Sequence, residues 1–124
     1  MVTRKVEELL EEARTRIERV TPVQAQTWIE RGALLIDIRP AAQRAEHGQP
    51  AAALVVERNV LEWRFDPASP HRLAAVADYT RPLIVLCQEG YASSFAADSL
   101  RALGHEQVAD VIGGYAAWQA AGLS

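Results

Sequence analysis

The sequence is poor in the features that mark several large classes of protein. Only one of its 124 residues is a cysteine, which excludes an internal disulfide and suits a reducing compartment. No apolar stretch approaches the roughly 18 residues of a membrane-spanning helix. The N-terminus is charged from Arg4 onward, so it lacks the apolar run of a signal peptide. We therefore expect a cytoplasmic protein that does not insert into a membrane.

An excess of positive charge is also absent. Thirteen lysines and arginines face sixteen aspartates and glutamates, which gives a formal net charge of −3 at pH 7. A protein that binds the phosphate backbone normally carries a basic patch, so we expect no nucleic-acid partner. The three histidines stand far apart and show no spacing typical of metal ligands, so we expect no metal site.

The residues that are present fit one α/β domain. Apolar residues make up 49% of the chain, and a domain of this length buries enough surface to fold without crosslinks. Short apolar runs, which are typical of buried parallel strands, alternate with segments of helical pattern. The predicted strands are 33–37, 53–56, 83–86 and 108–112. The predicted helices are 22–31, 70–77, 93–103 and 115–121, with a short helical turn within 59–65.

An amphipathic helix is predicted over residues 2–20, because apolar side chains recur there every three or four positions. Two pairs of opposite charge, Arg4–Glu8 and Glu12–Arg16, have the spacing that supports a helix. Such a helix either packs on its own domain or contacts a protein partner or a second copy of the chain. We divide the chain into this helix, 1–20, and a domain, 21–124.

Cys87 is the residue with the clearest chemical potential. It directly follows the apolar strand 83–86 and precedes a helix, which places it at the edge of the sheet where parallel α/β proteins bind ligands. Backbone N–H groups of the short linking loop and the N-terminus of the helix favour a thiolate there. Gly90 permits a positive φ, and Ser93 can cap the helix or donate to an anion. The carboxylate of Glu89 opposes a thiolate.

The residues alone leave two interpretations of Cys87 open. It is either a nucleophile activated by loop amides, or an inert buried cysteine at the end of a strand. No histidine lies next to it in the sequence, so a cysteine–histidine couple is not indicated.

Four segments, in order, resemble the single-domain rhodaneses, a family of thiosulfate sulfurtransferase-like proteins. They are Leu35-Ile36-Asp37-Ile38-Arg39, the loop Cys87-Gln88-Glu89-Gly90-Tyr91-Ala92-Ser93, the helix that ends at Leu103-Gly104, and Val111-Ile112-Gly113-Gly114-Tyr115 followed by Trp118 and Ala121-Gly122. The resemblance covers about residues 20–124. It implies a three-layer domain, with a central, mainly parallel five-stranded sheet and helices on both faces, in addition to the N-terminal amphipathic helix.

The resemblance also implies a mechanism and its partners. The Cys87 thiolate would attack the outer sulfur of thiosulfate or of a persulfide donor, and sulfite or another leaving group would depart. The resulting Cys87 persulfide would be held by the loop residues Gln88 to Ser93 and would pass its sulfur to a thiol, or to cyanide in an assay. Covalent catalysis of this kind proceeds in two half-reactions and requires no metal, nucleotide or flavin cofactor.

One position departs from the family pattern. Ala92 stands where the family most often has an arginine, whose planar guanidinium binds an oxyanion at two points. Positive charge from a neighbouring segment would compensate for its absence, and the candidates are Arg39, Arg58 and Arg64. The resemblance implies that Asp37 braces the loops rather than touching substrate, and it leaves both roles open for Arg39.

Three other functions are considered. A phosphatase of the same fold uses a loop one residue longer that ends in arginine, and Ser93 stands at that position here. A catalytically silent binding module would keep the fold without the chemistry, with the N-terminal helix as its contact surface. An enzyme with a different donor would prefer a persulfide over anionic thiosulfate, since the loop carries Glu89 and no arginine.

Overall fold

The computed structural model describes residues 2–124 and has a parallel sheet at its centre. The strands are β1 (Glu18–Val20), β2 (Leu34–Asp37), β3 (Leu54–Val55), β4 (Leu83–Leu86) and β5 (Val108–Val111). They lie in the order β1-β5-β4-β2-β3, and all four neighbouring pairs run parallel. The predicted five-stranded sheet is therefore confirmed. All residues of β4 and β5 are buried, as expected of central strands covered on both faces.

Helices cover both faces of the sheet. They are α1 (Val6–Thr15), α2 (Pro22–Glu30), α3 (Ala41–His47), α4 (Leu61–Phe65), α5 (Ala92–Leu103) and α6 (Gly114–Ala120), and a 3-10 turn (Arg58–Val60) precedes α4. Because successive side chains of a strand point to opposite faces, the strands contribute side chains to two separate apolar clusters, one on each face of the sheet. One cluster holds Val85 with Leu100 of α5, and the other holds Ile84 with Trp118 of α6. This is the predicted three-layer arrangement.

The prediction of a single helix over residues 2–20 is wrong at its C-terminal end. The helix α1 ends at Thr15, and Glu18–Val20 form an edge strand that pairs with β5. Ile17 packs against one apolar cluster and Val20 belongs to the other, so the two side chains face opposite sides of the sheet. Their spacing of three residues fits a helix equally well, which is why the apolar pattern did not separate the two structures. Met1 lies outside the described residues.

A helix over residues 70–77 is also wrong, because this segment forms turns. Leu73 and Val76 do reach the core, and the Val76 N–H donates to the Leu73 carbonyl at 2.9 Å. A single turn thus places both apolar side chains inward and produces the spacing that resembles a helix.

The helix α1 packs on its own domain, against α5, as the first of the two interpretations predicted. Arg16 forms an ion pair with Asp98 of α5 at 2.7 Å, instead of the predicted pair with Glu12. The side-chain hydrogen bond from Arg16 holds the pKa of the Asp98 carboxyl below its ordinary value, with a further contribution from Arg101. Arg4 contacts both Glu8 and Glu12, at 3.7 and 2.8 Å. No helix within residues 2–124 is long and apolar enough to cross a bilayer.

Candidate functional site: the Cys87 loop

Cys87 lies at the carboxyl edge of the sheet, immediately after β4 and beside the end of β2. The segment 87–93, which we call the Cys87 loop, follows β4 and includes the first two residues of α5. The side chain of Cys87 is buried but borders a cavity of about 340 Å³. The residues that line this cavity are Ile38, Arg39, Pro40, Gln43, Arg58, Cys87, Gln88, Glu89, Tyr91 and Ala92. The thiol therefore has a space in which a small molecule can reach it.

Two backbone N–H groups of the loop donate to the Cys87 sulfur. The nitrogen of Gly90 lies 3.2 Å from Sγ and the nitrogen of Ser93 lies 3.3 Å from it. Ser93 belongs to the first turn of α5, where the N–H groups carry partial positive charge. Donors aimed at a sulfur favour negative charge on it, which is the state of a nucleophilic cysteine.

Gly90 has the positive φ that the sequence analysis anticipated. Its φ is +89°, and a Cβ atom built on it would lie 2.8 Å from the nitrogen of Gly113. Both the backbone conformation and the close approach to the α6 turn exclude a side chain at this position. The turn that aims the Gly90 N–H at the sulfur therefore depends on glycine.

The N-terminus of α6 supports the Cys87 loop from behind. The N–H of Tyr115 donates to the Cys87 carbonyl at 2.8 Å, and the N–H of Ala116 donates to the Gln88 carbonyl at 3.1 Å. A Cβ on Gly114 would clash with the Cys87 carbonyl oxygen and would lie 2.7 Å from the carbonyl carbon of Gln88. The role of Gly114 was missed in the sequence analysis, although the Gly113-Gly114 pair was a visible signal.

A buried carboxylate joins the loop to the sheet. Asp110 of β5 is fully buried, and its Oδ2 accepts hydrogen bonds from the hydroxyls of Ser93 and Ser94, at 2.8 and 2.7 Å. Arg19 of β1 donates to Asp110 Oδ1 at 2.9 Å. Ser93 thus neither caps α5 with its side chain nor faces the cavity with its hydroxyl. Asp110 was also missed, although an acidic residue inside an apolar strand was a signal for it.

Two arginines of the N-terminal segment reach the same loop carbonyl. Nη2 of Arg14 lies 2.8 Å from the Gly90 oxygen, and Nη2 of Arg19 lies 3.0 Å from it. Arg14 also donates from Nε to the hydroxyl of Ser94 at 3.0 Å. Nothing in the local sequence pattern pointed to these contacts, because more than 70 residues separate each arginine from Gly90.

Asp37 and Arg39 form a fully buried ion pair at the end of β2. Nη2 of Arg39 lies 2.7 Å from Oδ2 of Asp37, and Nε lies 3.0 Å from Oδ1. Arg39 also donates to the side-chain oxygen of Gln88 at 2.9 Å and stacks over the ring of Tyr115. The guanidinium thus holds the loop, and Asp37 balances its charge.

Arg58 and Arg64, the other two arginines predicted to compensate for Ala92, differ in their distance from the cavity. Arg58 lines the cavity, and its Nη1 donates to both carboxylate oxygens of Glu62 at 2.9 Å. Arg64 donates to the carbonyl of His71 and does not line the cavity. The structure therefore leaves Arg58 as the candidate that combines exposure with a place at the cavity.

The rim of the cavity carries the remaining loop side chains. Glu89, Tyr91 and Ala92 are exposed, and all three line the cavity. Among residues 2–124, no cluster of three or more histidine, cysteine, aspartate or glutamate side chains is arranged to hold a metal ion.

Substitution of Gly114 tests whether α6 supports the loop. Gly114→Ala should slow the reaction of Cys87 with iodoacetamide several-fold, because the new methyl group displaces the loop carbonyls and with them the N–H groups on the sulfur. Gly122→Ala is the matched control, since Gly122 also has a positive φ but has open space around it. Gly122→Ala should lose about 1–2 kcal/mol of unfolding free energy to backbone strain, and Gly114→Ala should lose more, because its methyl group also meets the loop carbonyls. Equal alkylation rates in the two variants would contradict the proposed support.

The chain is similar to several known proteins. A model of the rhodanese-like domain matches residues 21–121. The thiosulfate sulfurtransferase GlpE of Pseudomonas savastanoi pv. phaseolicola is 31% identical over 106 residues, which cover 86% of this chain and 91% of that protein. The GlpE of Actinobacillus pleuropneumoniae serotype 5b is 35% identical, and the match covers 84% of this chain and 88% of that protein.

Solved structures of the same fold include one that matches the whole chain. A protein of unknown function from Rhodopseudomonas palustris, described as a possible tyrosine phosphatase, superposes with a TM-score of 0.89 at 28% identity and covers 100% of this chain and 96% of its own. The homodimeric polysulfide-sulfur transferase of Wolinella succinogenes superposes with a TM-score of 0.76 at 21% identity, over 94% of this chain and 83% of its own. The family match over residues 21–121 and the relatives above 30% identity lead to one conclusion: this chain belongs to the rhodanese family.

Proposed function

We propose that the protein is a sulfurtransferase that carries a sulfane sulfur as a persulfide on Cys87. The observation that carries the proposal is the pair of N–H donors on the Cys87 sulfur, at 3.2 and 3.3 Å, beside a cavity that borders this residue. The curated relatives named thiosulfate sulfurtransferase support the same chemistry.

The reaction divides into two half-reactions. In the first, the Cys87 thiolate attacks the outer sulfur of thiosulfate, and the sulfur–sulfur bond of the donor breaks. Sulfite leaves with the electron pair of that bond, and Cys87 carries the persulfide. In the second, a thiol or cyanide attacks the outer sulfur and restores the thiolate. With cyanide, the product is thiocyanate, and the kinetics should be ping-pong.

The donor preference follows from the charges around the cavity. Arg39 is balanced by Asp37, Arg58 is paired with Glu62, and Ala92 supplies no charge. Glu89 adds a negative charge at the rim. A dianion such as thiosulfate should therefore be attracted less strongly than in a loop that carries arginine, and we propose a low-molecular-weight or protein persulfide as the preferred donor.

A phosphatase is the alternative function to consider, because the Rhodopseudomonas palustris protein of the same fold is described as a possible tyrosine phosphatase. Phosphoryl transfer needs positive charge at the equatorial oxygens of the phosphate. Residues 88–94 of this chain contain no arginine, and Ser93 occupies the position where the longer phosphatase loop carries one. This absence of charge favours sulfur transfer.

Intact mass tests the persulfide directly. Brief exposure of the reduced protein to thiosulfate or glutathione persulfide should add about 32 Da, one sulfur atom, to the wild type. The Cys87→Ala variant should gain nothing, and cyanide should remove the added mass.

The outcomes separate the proposals. An adduct with glutathione persulfide but not with thiosulfate supports the altered donor. No adduct with either donor contradicts the sulfurtransferase and favours a silent binding module, to be examined by pull-down through residues 2–20.

Restoring the arginine tests the donor preference. The side chain of Ala92 is exposed at the cavity, so the Ala92→Arg variant has room for its guanidinium. It should raise kcat/KM for thiosulfate about tenfold, near the lower end of the roughly 1.5–3 kcal/mol of a charged hydrogen bond, and raise the value for glutathione persulfide less, because the carboxylates of that donor lie far from its reacting sulfur. Ala92→Gln is the neutral control of similar reach. A wild type that already uses thiosulfate more efficiently than the persulfide would overturn this preference.

The physiological acceptor and the cytoplasmic location stay predictions. A thiol acceptor fits the uncharged part of the cavity lining, which includes Ile38 and Pro40. The single cysteine suits a reducing compartment.

A further inference from the structure

We propose that Arg14 and Arg19 are positioning residues of the Cys87 loop and that Arg14 adds to the loop's attraction for anionic reagents. Both arginines precede residues 21–121, which the rhodanese-like model matches. The inference rests on the proposed function in one respect, namely that Cys87 reacts as a nucleophile with an anion held by the loop.

The contacts place both guanidinium groups on a single atom of the loop. Arg14 and Arg19 each donate from Nη2 to the Gly90 carbonyl oxygen, at 2.8 and 3.0 Å. Gly90 is also the residue whose N–H donates to the Cys87 sulfur. Two charged donors therefore fix the backbone at the point where the loop turns toward its nucleophile.

The side from which the arginines bind the Gly90 carbonyl determines which way the next loop N–H points. In a trans peptide the C=O and the following N–H point in opposite directions within one plane. When the Gly90 oxygen is held on the side of Arg14 and Arg19, the N–H of Tyr91 points to the other side. Tyr91 is one of the residues that line the cavity, so the orientation of this peptide affects the cavity wall. A charged donor on the carbonyl also polarises the peptide and strengthens its N–H as a donor.

The two arginines differ in how their charge is balanced. Arg19 is paired with the buried carboxylate of Asp110 at 2.9 Å. Arg14 has no carboxylate within ion-pair distance among the residues that the structure describes; it contacts Gly90, Ser94 and the ring of Tyr91. Arg14 thus leaves an unbalanced positive charge behind the loop, close to a rim that carries Ala92 instead of arginine. Such a charge raises the local concentration of anions.

The docking of α1 does not depend on Arg14 alone. Arg16, two residues further along the chain, forms a two-point ion pair with Asp98 of α5 and does not touch the loop. Arg16→Met therefore removes one arginine and one contact between α1 and α5 while it leaves the Gly90 carbonyl held. It is a matched control for Arg14→Met, because the two variants change the net charge equally.

Alkylation of reduced Cys87 in the full chain measures the effect without any sulfur donor. The probes are iodoacetate, which is anionic, and iodoacetamide, which is neutral. The readout is the ratio of their second-order rate constants. Arg14→Met should lower the iodoacetate-to-iodoacetamide ratio about threefold, which corresponds to about 0.65 kcal/mol. Arg14→Lys, which keeps the charge, should recover part of this loss, and Arg16→Met should leave the ratio at the wild-type value.

Two results would overturn the inference. The first is an unchanged ratio in Arg14→Met. The second is an equal fall in Arg14→Met and Arg16→Met, which would show that only the docking of α1 or the overall charge matters. Arg19→Met would leave the buried Asp110 without its cation. Arg19→Lys keeps a cation there and is therefore the variant to measure in the same alkylation assay. Thermal unfolding is the control for its folding.

The failure of this inference and that of the proposed function are distinguishable. A persulfide on Cys87 together with an unchanged ratio in Arg14→Met would keep the sulfurtransferase and overturn the role of Arg14. A lowered ratio without any persulfide would support the role of Arg14 in anion attraction and contradict sulfur transfer.

Discussion

The buried carboxylate of Asp110 is the group on which the site depends. A carboxylate without water costs several kcal/mol unless a cation and hydrogen-bond donors compensate for it. Here Arg19 supplies the cation, and the hydroxyls of Ser93 and Ser94 supply the donors. These contacts join the edge strand β1, the central strand β5 and the first turn of α5 at one point. The same turn carries the N–H of Ser93 that donates to the Cys87 sulfur.

The Cys87 loop is held from behind on three of its carbonyls. The N-terminus of α6 donates to the carbonyls of Cys87 and Gln88, and the two N-terminal arginines donate to that of Gly90. Because each C=O and the next N–H point in opposite directions, these contacts turn loop amides away from the scaffold. The two N–H groups that donate to the Cys87 sulfur, those of Gly90 and Ser93, belong to this supported segment.

The fold could largely be predicted from local patterns, and its exceptions have physical causes. The strands β2, β4 and β5 are recognisable in the sequence as mainly apolar runs, because both faces of the sheet are covered. The three residues of β1 are too few to show a strand period, and Ile17 and Val20 also fit a helix. Within the site, the Cys87 loop and the Asp37–Arg39 pair could be found from sequence motifs. Arg14 and Arg19 could not, because their partners Gly90 and Asp110 lie 71 to 91 residues away along the chain. Asp110 had a signal as an acidic residue in an apolar strand, but the local pattern did not indicate its partners.

A crystal structure of the reduced protein after brief exposure to a sulfur donor tests the central claim most directly. The account predicts one additional sulfur atom bonded to Sγ of Cys87, within hydrogen-bond distance of backbone N–H groups of the loop, while Arg14 and Arg19 still contact the Gly90 oxygen. An unmodified Sγ after exposure to both thiosulfate and glutathione persulfide would contradict it, as would an added sulfur that makes no contact with the loop amides.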